Sequence, residues 1–172
     1  MLITREELAL HRLVLDRTYP ATILPDVGDG FGPVGTVSLK GAAELAGADI
    51  RVHGHITTVV GATCDRCMAA VELPVEQDFD LLYRPVAAMA PGEEIEVPAD
   101  ELEVGFYSGD GVNLLDVLRE QVILALPMKV ICRTSCRGLC PVCGANLNDA
   151  ECKCRQHGDE SPFASSLKSS LH

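Results

Sequence analysis

Eight cysteines are the residues of this 172-residue chain best suited to chemistry. Six lie close together in the pattern C-x3-C-x3-C-x2-C-x8-C-x-C, at Cys132, Cys136, Cys140, Cys143, Cys152 and Cys154. The other two, Cys64 and Cys67, form a C-x2-C pair far upstream. Two thiolates separated by two residues can clasp one metal ion from a tight turn whose backbone N–H groups point at the sulfurs. The strongest signal is Cys140-Pro-Val-Cys143-Gly144, in which Pro141 stiffens the turn and Gly144 accepts the positive φ needed just after the second ligand. With Cys152 and Cys154 following after a short loop, four thiolates can close a tetrahedral site with no position left for water, which is a structural zinc site.

Cys64 and Cys67 need two further ligands, and Cys132 with Cys136 supply them if the chain returns to the C-x2-C tip. This partition uses every cysteine and predicts two structural Zn2+ ions. Other partitions stay open: one site from Cys132, Cys136, Cys140 and Cys143, or sites using one member of the Cys152/Cys154 pair. His157, His53 and His55 could also substitute, although His53 and His55 read more simply as polar residues on the wet face of a strand. A redox switch fits less well, because Cys64 has no helix behind it to stabilise a thiolate. The C-x2-C-x2-C run of ferredoxin clusters is absent.

The elements that must position these thiols read as follows. Thr4-Arg-Glu-Glu7 fits a capping box at a helix start, and the following LALHRLVL suits a short helix or an entering strand. Pro20 to Pro33 reads as a loop. Ile50, Val52, Gly54 and Ile56 alternate with polar residues, as do Val71, Leu73, Val75, Gln77, Phe79, Leu81 and Tyr83, so two strands are predicted with Cys64 and Cys67 at the tip between them. Pro74 makes the second strand an edge, or starts it beyond that residue. Residues 87–110 read as an acidic excursion ending in a short strand, Leu102 to Tyr107. Asn113 is a good N-cap for a helix that Pro127 ends after Leu126, with Leu114, Leu115, Leu118, Val122 and Leu126 as its apolar stripe. After Gln156 the chain turns polar, with one apolar phrase from Pro162 to Leu171 spaced for a single helical face.

These elements predict an α+β fold: an antiparallel β-sheet/hairpin domain with one main helix, carrying a C-terminal cysteine-rich, zinc-ribbon-like module. The expected organisation is a core domain at 1–128 that includes the C-x2-C hairpin, a cysteine-rich module at 129–156 and a flexible tail at 157–172. An apolar fraction of 47% argues for a folded chain, and with aromatics at only 4% the core must be built from Val, Leu, Ile and Ala. No apolar run approaches the about 20 residues a spanning helix needs. Arg5, Glu6 and Glu7 interrupt the stretch where a signal peptide would be apolar, so the expectation is a cytoplasmic protein, with thiols reduced and free to bind metal.

The net charge of −11 is concentrated in the middle of the chain. Residues 72–120 hold 13 acidic and 2 basic side chains, against 8 and 6 in 1–71, and 4 and 6 in 129–172. The middle should repel nucleic acid and suit a basic protein surface. Lys129, Arg133, Arg137, Lys153 and Arg155 surround the thiols. They read first as local neutralisation, since no aromatic is interleaved for base stacking. No Ser/His/Asp set, phosphate loop or open metal site is evident, so an enzyme is not expected. The residues by themselves lead to a zinc-bearing adaptor, with a thiol redox or metal-responsive regulator as the alternative.

Cys64-x-x-Cys67, Leu124-Ala-Leu-Pro127, Cys132-x3-Cys136, Gly138-Leu-Cys-Pro-Val-Cys-Gly144 and Asn146-Leu-Asn148, taken in that order, resemble the YceD family, also called the large ribosomal RNA subunit accumulation protein family. The resemblance runs over nearly the whole chain. It implies a non-enzymatic bacterial cytoplasmic protein that supports synthesis, processing or stability of large-subunit ribosomal RNA, with ribosomal or ribosome-biogenesis proteins as partners, no membrane and no small-molecule substrate. Some members of that family keep the first C-x-x-C and lack the later cluster. That implies an accessory role for Cys140, Cys143, Cys152 and Cys154.

Overall fold

The computed structural model describes residues 1–24, 27–28, 30–86 and 104–154. The chain forms two compact units: Met1–Thr63 with Ala70–Val130, and Cys64–Ala69 with Ile131–His172, of which 131–154 are described. The mixed α+β class is as expected, and among the described residues no helix is long and apolar enough to cross a membrane.

The first unit opens with β1 (Leu2–Thr4) and α1 (Arg5–Leu10), then β2 (Leu13–Tyr19). The Thr4 hydroxyl accepts the Glu7 N–H at 3.2 Å, which is the expected cap. Helix and strand therefore both occur in the ambiguous N-terminal stretch, divided where His11 adopts extended backbone. The Pro-rich connection that follows contains a single 3-10 turn (Ala21–Ile23) and a short strand, β3 (Gly32–Pro33). It is more than a surface loop, because Leu24 and Val27 are buried in the core.

Three long strands make the body of the sheet: β4 (Val37–Ala46), β5 (Asp49–Thr63) and β6 (Ala70–Pro85). They are followed by β7 (Val104–Tyr107), β8 (Gly111–Asn113) and α2 (Leu114–Ala125). The strand order is β2-β4-β5-β6-β7, with β3 also on β5, while β1 pairs β8 separately. The predicted antiparallel pairing holds for the successive hairpins. β7, however, joins β6 in parallel, Val104 opposite Leu82. β6 starts at Ala70 and runs straight through Pro74, which sits opposite Val59. Starting the strand beyond Pro74 is therefore incorrect, and the edge alternative is the one realised: among the described strands nothing pairs the other side of β6 at that point, so the missing N–H costs no ladder bond. At the centre, Gly41 of β4 faces Gly54 of β5 so closely that a Cβ on Gly41 would run into the His53 carbonyl.

The alternation read from the sequence sorts the two faces. Ile50, Val52, Ile56, Val60, Val75 and Phe79 point into one core with Leu15, Leu39 and Val37. On the other face Arg51 grips Asp80 with bonds of 2.8 and 2.6 Å, and His55 Nδ1 meets Asp78 at 2.7 Å. The apolar side of α2 closes the core, and its N-cap is Asn113, whose Oδ1 accepts the Leu115 N–H. Leu114, Leu118 and Val122 are buried as expected, and each such leucine contributes about 1.5–3 kcal/mol. Val117 and Gln121 share that face, whereas Leu115 and Leu126 are only partly covered. A helix packed on a twisted sheet buries a broader arc than a narrow stripe predicts. The acidic stretch before Val104 and the apolar phrase from Pro162 to Leu171 lie outside the described residues.

Candidate metal centre

The second unit is held by cysteines and by very little apolar packing. It begins in the six-residue loop between β5 and β6. The Cys64 N–H donates to the Ala69 carbonyl at 2.8 Å and the Met68 N–H to the Cys64 carbonyl at 2.9 Å. The same turn recurs at Cys140–Ala145, where the Cys140 N–H donates to Ala145 at 2.8 Å and the Gly144 N–H to Cys140 at 2.9 Å. The residue after the second cysteine is left-handed in both, with φ of 61° at Met68 and 72° at Gly144. Gly144 is legible in sequence as the residue this turn calls for. Met68 adopts the same backbone at a steric cost that glycine does not incur, and nothing in its residue type signals it.

Each turn supplies two sulfurs, and a second pair completes each set. Cys64, Cys67, Cys132 and Cys136 form one tetrad, and Cys140, Cys143, Cys152 and Cys154 the other, with all sulfurs of a set within 4.8 Å of one another. The structure thus brings all eight together in the two-by-four division, and not as Cys132, Cys136, Cys140 and Cys143. Sulfur separations are 4.0 Å for Cys64–Cys136, 3.6 Å for Cys67–Cys132, 3.5 Å for Cys143–Cys152 and 3.4 Å for Cys140–Cys152. Four sulfurs at about 2.3 Å from a tetrahedral ion stand about 3.8 Å apart, so the tetrads already have the size of a four-thiolate metal site. Both tetrads could hold a metal ion, and neither has a histidine. His53 instead accepts from Arg12 at 3.2 Å and His55 pairs Asp78, while His157 lies outside the described residues.

The chain between the tetrads is a small hairpin. Leu139 bridges to Asn146, the Leu147 N–H donates to Gly138, and the Leu139 N–H donates to the Arg66 carbonyl at 3.0 Å. Arg66 also donates from Nη1 to the Cys136 carbonyl at 3.1 Å, which fastens the first turn to the later segment. Backbone and amide groups then face the sulfurs. The Cys132 N–H approaches Cys64 Sγ at 3.4 Å, the Val142 N–H approaches Cys140 Sγ at 3.4 Å, and the Cys154 N–H approaches Cys152 Sγ at 3.2 Å. That last bond lies within the close C-x-C pair, both of whose sulfurs belong to one set.

Sequence reading passed over the role of Asn148. Its Nδ2 donates to Cys136 Sγ at 3.4 Å and to Asn146 Oδ1 at 2.8 Å, and its Oδ1 accepts the Arg137 N–H at 2.9 Å. It therefore ties the second half of the unit to a ligand of the first tetrad. Asn146-Leu-Asn148 stood out only as part of a family pattern, since nothing in the residue type distinguishes a sulfur-facing amide from a turn asparagine.

These donors set the thiol acidities. The Cys132 N–H, outweighing burial, brings Cys64 down to about 6, and the N–H groups of Cys143 and Val142 bring Cys140 to about 6. The Asn148 amide and the Gly138 N–H lower Cys136. Their neighbours move the other way: burial and the adjacent thiols push Cys132 up to about 12, and the thiols of Cys152 and Cys143 push Cys154 up to about 12. A close-packed set of sulfurs cannot carry four uncompensated negative charges, so some release protons early and the others hold them. A dication among them removes that conflict. The tetrads differ in access. In the first set Cys64, Cys67 and Cys136 are 0, 5 and 5% exposed and Cys132 is exposed, whereas in the second set Cys140 is buried, Cys152 and Cys154 are partly exposed and Cys143 is exposed.

A family model described as large ribosomal RNA subunit accumulation protein YceD matches residues 52–169, a span that takes in both tetrads. Among curated proteins, an uncharacterized protein of Mycobacterium leprae is 28% identical over 64% of this chain and 49% of its own length. The chloroplastic large ribosomal RNA subunit accumulation protein YCED homolog 1 of Arabidopsis thaliana is 26% identical over 61% of this chain and 39% of its own length. Its counterpart of the same name in Zea mays is 25% identical over 62% of this chain and 44% of its own. The chain thus spans half or less of the length of these relatives, and no solved structure matches it. The fold, the ordered cysteine turns and a match covering most of the chain lead to one conclusion: this protein belongs to the YceD family, the large ribosomal RNA subunit accumulation proteins.

Proposed function

We propose that this chain is a non-enzymatic adaptor, stapled by two structural zinc ions, that supports the synthesis, processing or stability of large-subunit ribosomal RNA in the bacterial cytoplasm and works mainly through protein partners. The observation that carries the reading is the pair of closed all-cysteine tetrads in a chain of this family. Four thiolates at tetrahedral spacing suit Zn2+ and leave no coordination position for water or substrate. Bound there, the ion supplies cross-linking and charge compensation. Cys64 with Cys67 and Cys132 with Cys136 would hold one ion, and Cys140, Cys143, Cys152 and Cys154 the other. Each filled tetrad carries a net charge of −2, which adds to the acidity of the chain and favours basic protein surfaces over direct RNA contact.

The relatives' printed name, large ribosomal RNA subunit accumulation, is the basis for the RNA part of the proposal. The experiment has two arms. Elemental analysis of full-length protein purified anaerobically without added metal should find two zinc ions per chain, fewer in Cys64→Ser and Cys143→Ser variants. Cells lacking the protein should accumulate less mature large-subunit ribosomal RNA, and recover with the wild-type gene. The exposure of Cys143 favours, as the second reading, a thiol redox or metal-responsive regulator. Metal-free protein with reversible disulfides among Cys140, Cys143, Cys152 and Cys154 would establish that reading in place of the first.

A further inference from the structure

The sheet of the first unit is closed on one side of β6 and open on the other. β5 pairs it from Ala70 to Tyr83, whereas β7 covers only Leu82 to Pro85, so among the described residues the outer edge from 70 to 81 has no neighbour. Pro74 sits in the ladder without an N–H to donate, and by antiparallel alternation the N–H groups of Glu76, Asp78 and Asp80 leave the strand on that same outer side. Where β7 stops, a cleft of about 440 Å³ lies between this edge and α2, lined in part by Leu81, Val104, Glu120, Gln121 and Leu124.

Three features of the cleft point to the same kind of occupant. Gln121 is only 5% exposed, lines the cleft, and its side-chain amide makes no hydrogen bond among the described residues. Among the described residues the one fully buried side-chain nitrogen or oxygen without a partner is His53 Nδ1, so the Gln121 amide keeps contact with solvent in the cleft, where its donor and acceptor can meet a peptide group. Leu124 is 69% exposed and Ile123 37%, an apolar ledge on a helix that otherwise buries such side chains. The rim is acidic on balance: Glu120 lines the cleft with Asp78 and Asp80, and Asp116 lies in the adjoining hollow beside Leu124, which Arg119 also lines; Asp116 and Glu120 have no ion-pair partner among the described residues, and no lysine or arginine occurs between Arg84 and Arg119 in the sequence.

We propose that the open edge of β6, with the Gln121–Leu124 face of α2, is the docking groove for a basic, extended segment of a partner protein, which joins the sheet as an added strand. Main-chain bonds to the β6 edge supply affinity, the Gln121 amide meets the incoming backbone, Leu124 takes an apolar side chain, and Glu120 with Asp116 select lysine or arginine. This deepens the adaptor reading, on which it rests, by assigning the surface and the chemistry of the partner.

The test uses the full chain and, as probe, an acetylated peptide of five Lys-Val repeats at low salt, followed by amide hydrogen exchange. The peptide should slow exchange at Glu76, Asp78 and Asp80, Glu120→Lys or Leu124→Lys should weaken it by about tenfold or more, and a Glu-Val peptide should not bind. Gln121→Leu should weaken the peptide while keeping or raising the melting temperature, because an amide that served the fold would lower it when lost. The proposal fails if the probe leaves those amides unchanged at millimolar concentration, if Glu120→Lys binds it as well as wild type, or if polyuridine protects the same amides. It also fails if they are already protected without probe, in dilute protein by the chain's own segment or at high concentration by a second copy. The zinc and ribosomal RNA measurements are independent of this binding, so two zinc ions and normal rescue by Glu120→Lys would reject the groove and leave the adaptor reading standing.

Discussion

Asn148→Ala tests whether the tetrads are tuned by what surrounds them. The substitution removes the Nδ2 bond to Cys136 Sγ and the Oδ1 bond to the Arg137 N–H. A hydrogen bond to a charged acceptor contributes about 1.5–3 kcal/mol. The Arg137 N–H is exposed and can turn to water, so its loss adds little. The expected result is a zinc affinity about 10–100-fold lower at the tetrad of Cys64, Cys67, Cys132 and Cys136, with the other tetrad close to wild type. Competition between apo-protein and a chromophoric chelator measures both affinities, and Cys64→Ser and Cys143→Ser backgrounds assign them. The sign of the pH dependence follows from the same bond. The amide holds Cys136 below the ordinary thiol value, so without it the sulfur keeps its proton to higher pH and the deficit widens as the solution is acidified. Equal weakening of both tetrads, or a wild-type affinity at the Cys136 site, would refute the reasoning.

The two left-handed turn positions should respond in opposite directions: Gly144→Ala costs about 1–2 kcal/mol of conformational strain with no clash, while Met68→Gly, at a side chain that is 64% exposed, relieves strain of similar size, both read by thermal melting of the zinc-loaded protein. Leu118→Ala in α2, fully buried against the sheet, should cost about 2–5 kcal/mol in chemical denaturation and leave zinc stoichiometry at its wild-type value. Asp80→Asn should lower stability slightly at neutral pH, because Arg51 holds the Asp80 carboxyl below its ordinary value. That contribution is present above the unfolded carboxylate range and is lost as pH falls through the folded value, so the two proteins should converge in acid and, for so exposed a pair, in high salt.

Several features could be read directly from the residues because they depend on local chemistry. Asn113 caps α2, Thr4 caps α1, Pro127 follows the end of α2, and the alternation from Ile50 to Ile56 marks the core face of β5. Gly144 announced its turn because few other residue types sit comfortably at that backbone angle. Other features depended on residues far apart in sequence. Whether Cys64 finds Cys136 or a nearer thiol is decided by the hairpin at 138–147 and by Arg66, which bring together sulfurs 72 positions apart. The parallel placement of β7, the burial of Leu24 and Val27 within a Pro-rich connection and the sulfur-facing amide of Asn148 have the same origin. Residue type and spacing determined which groups could bind metal and which faces could be buried, because both follow from side-chain chemistry and backbone period. Only the tertiary structure decided which thiols share a site and which strand edge stays open, because those outcomes are set by the packing and hydrogen bonding of distant segments.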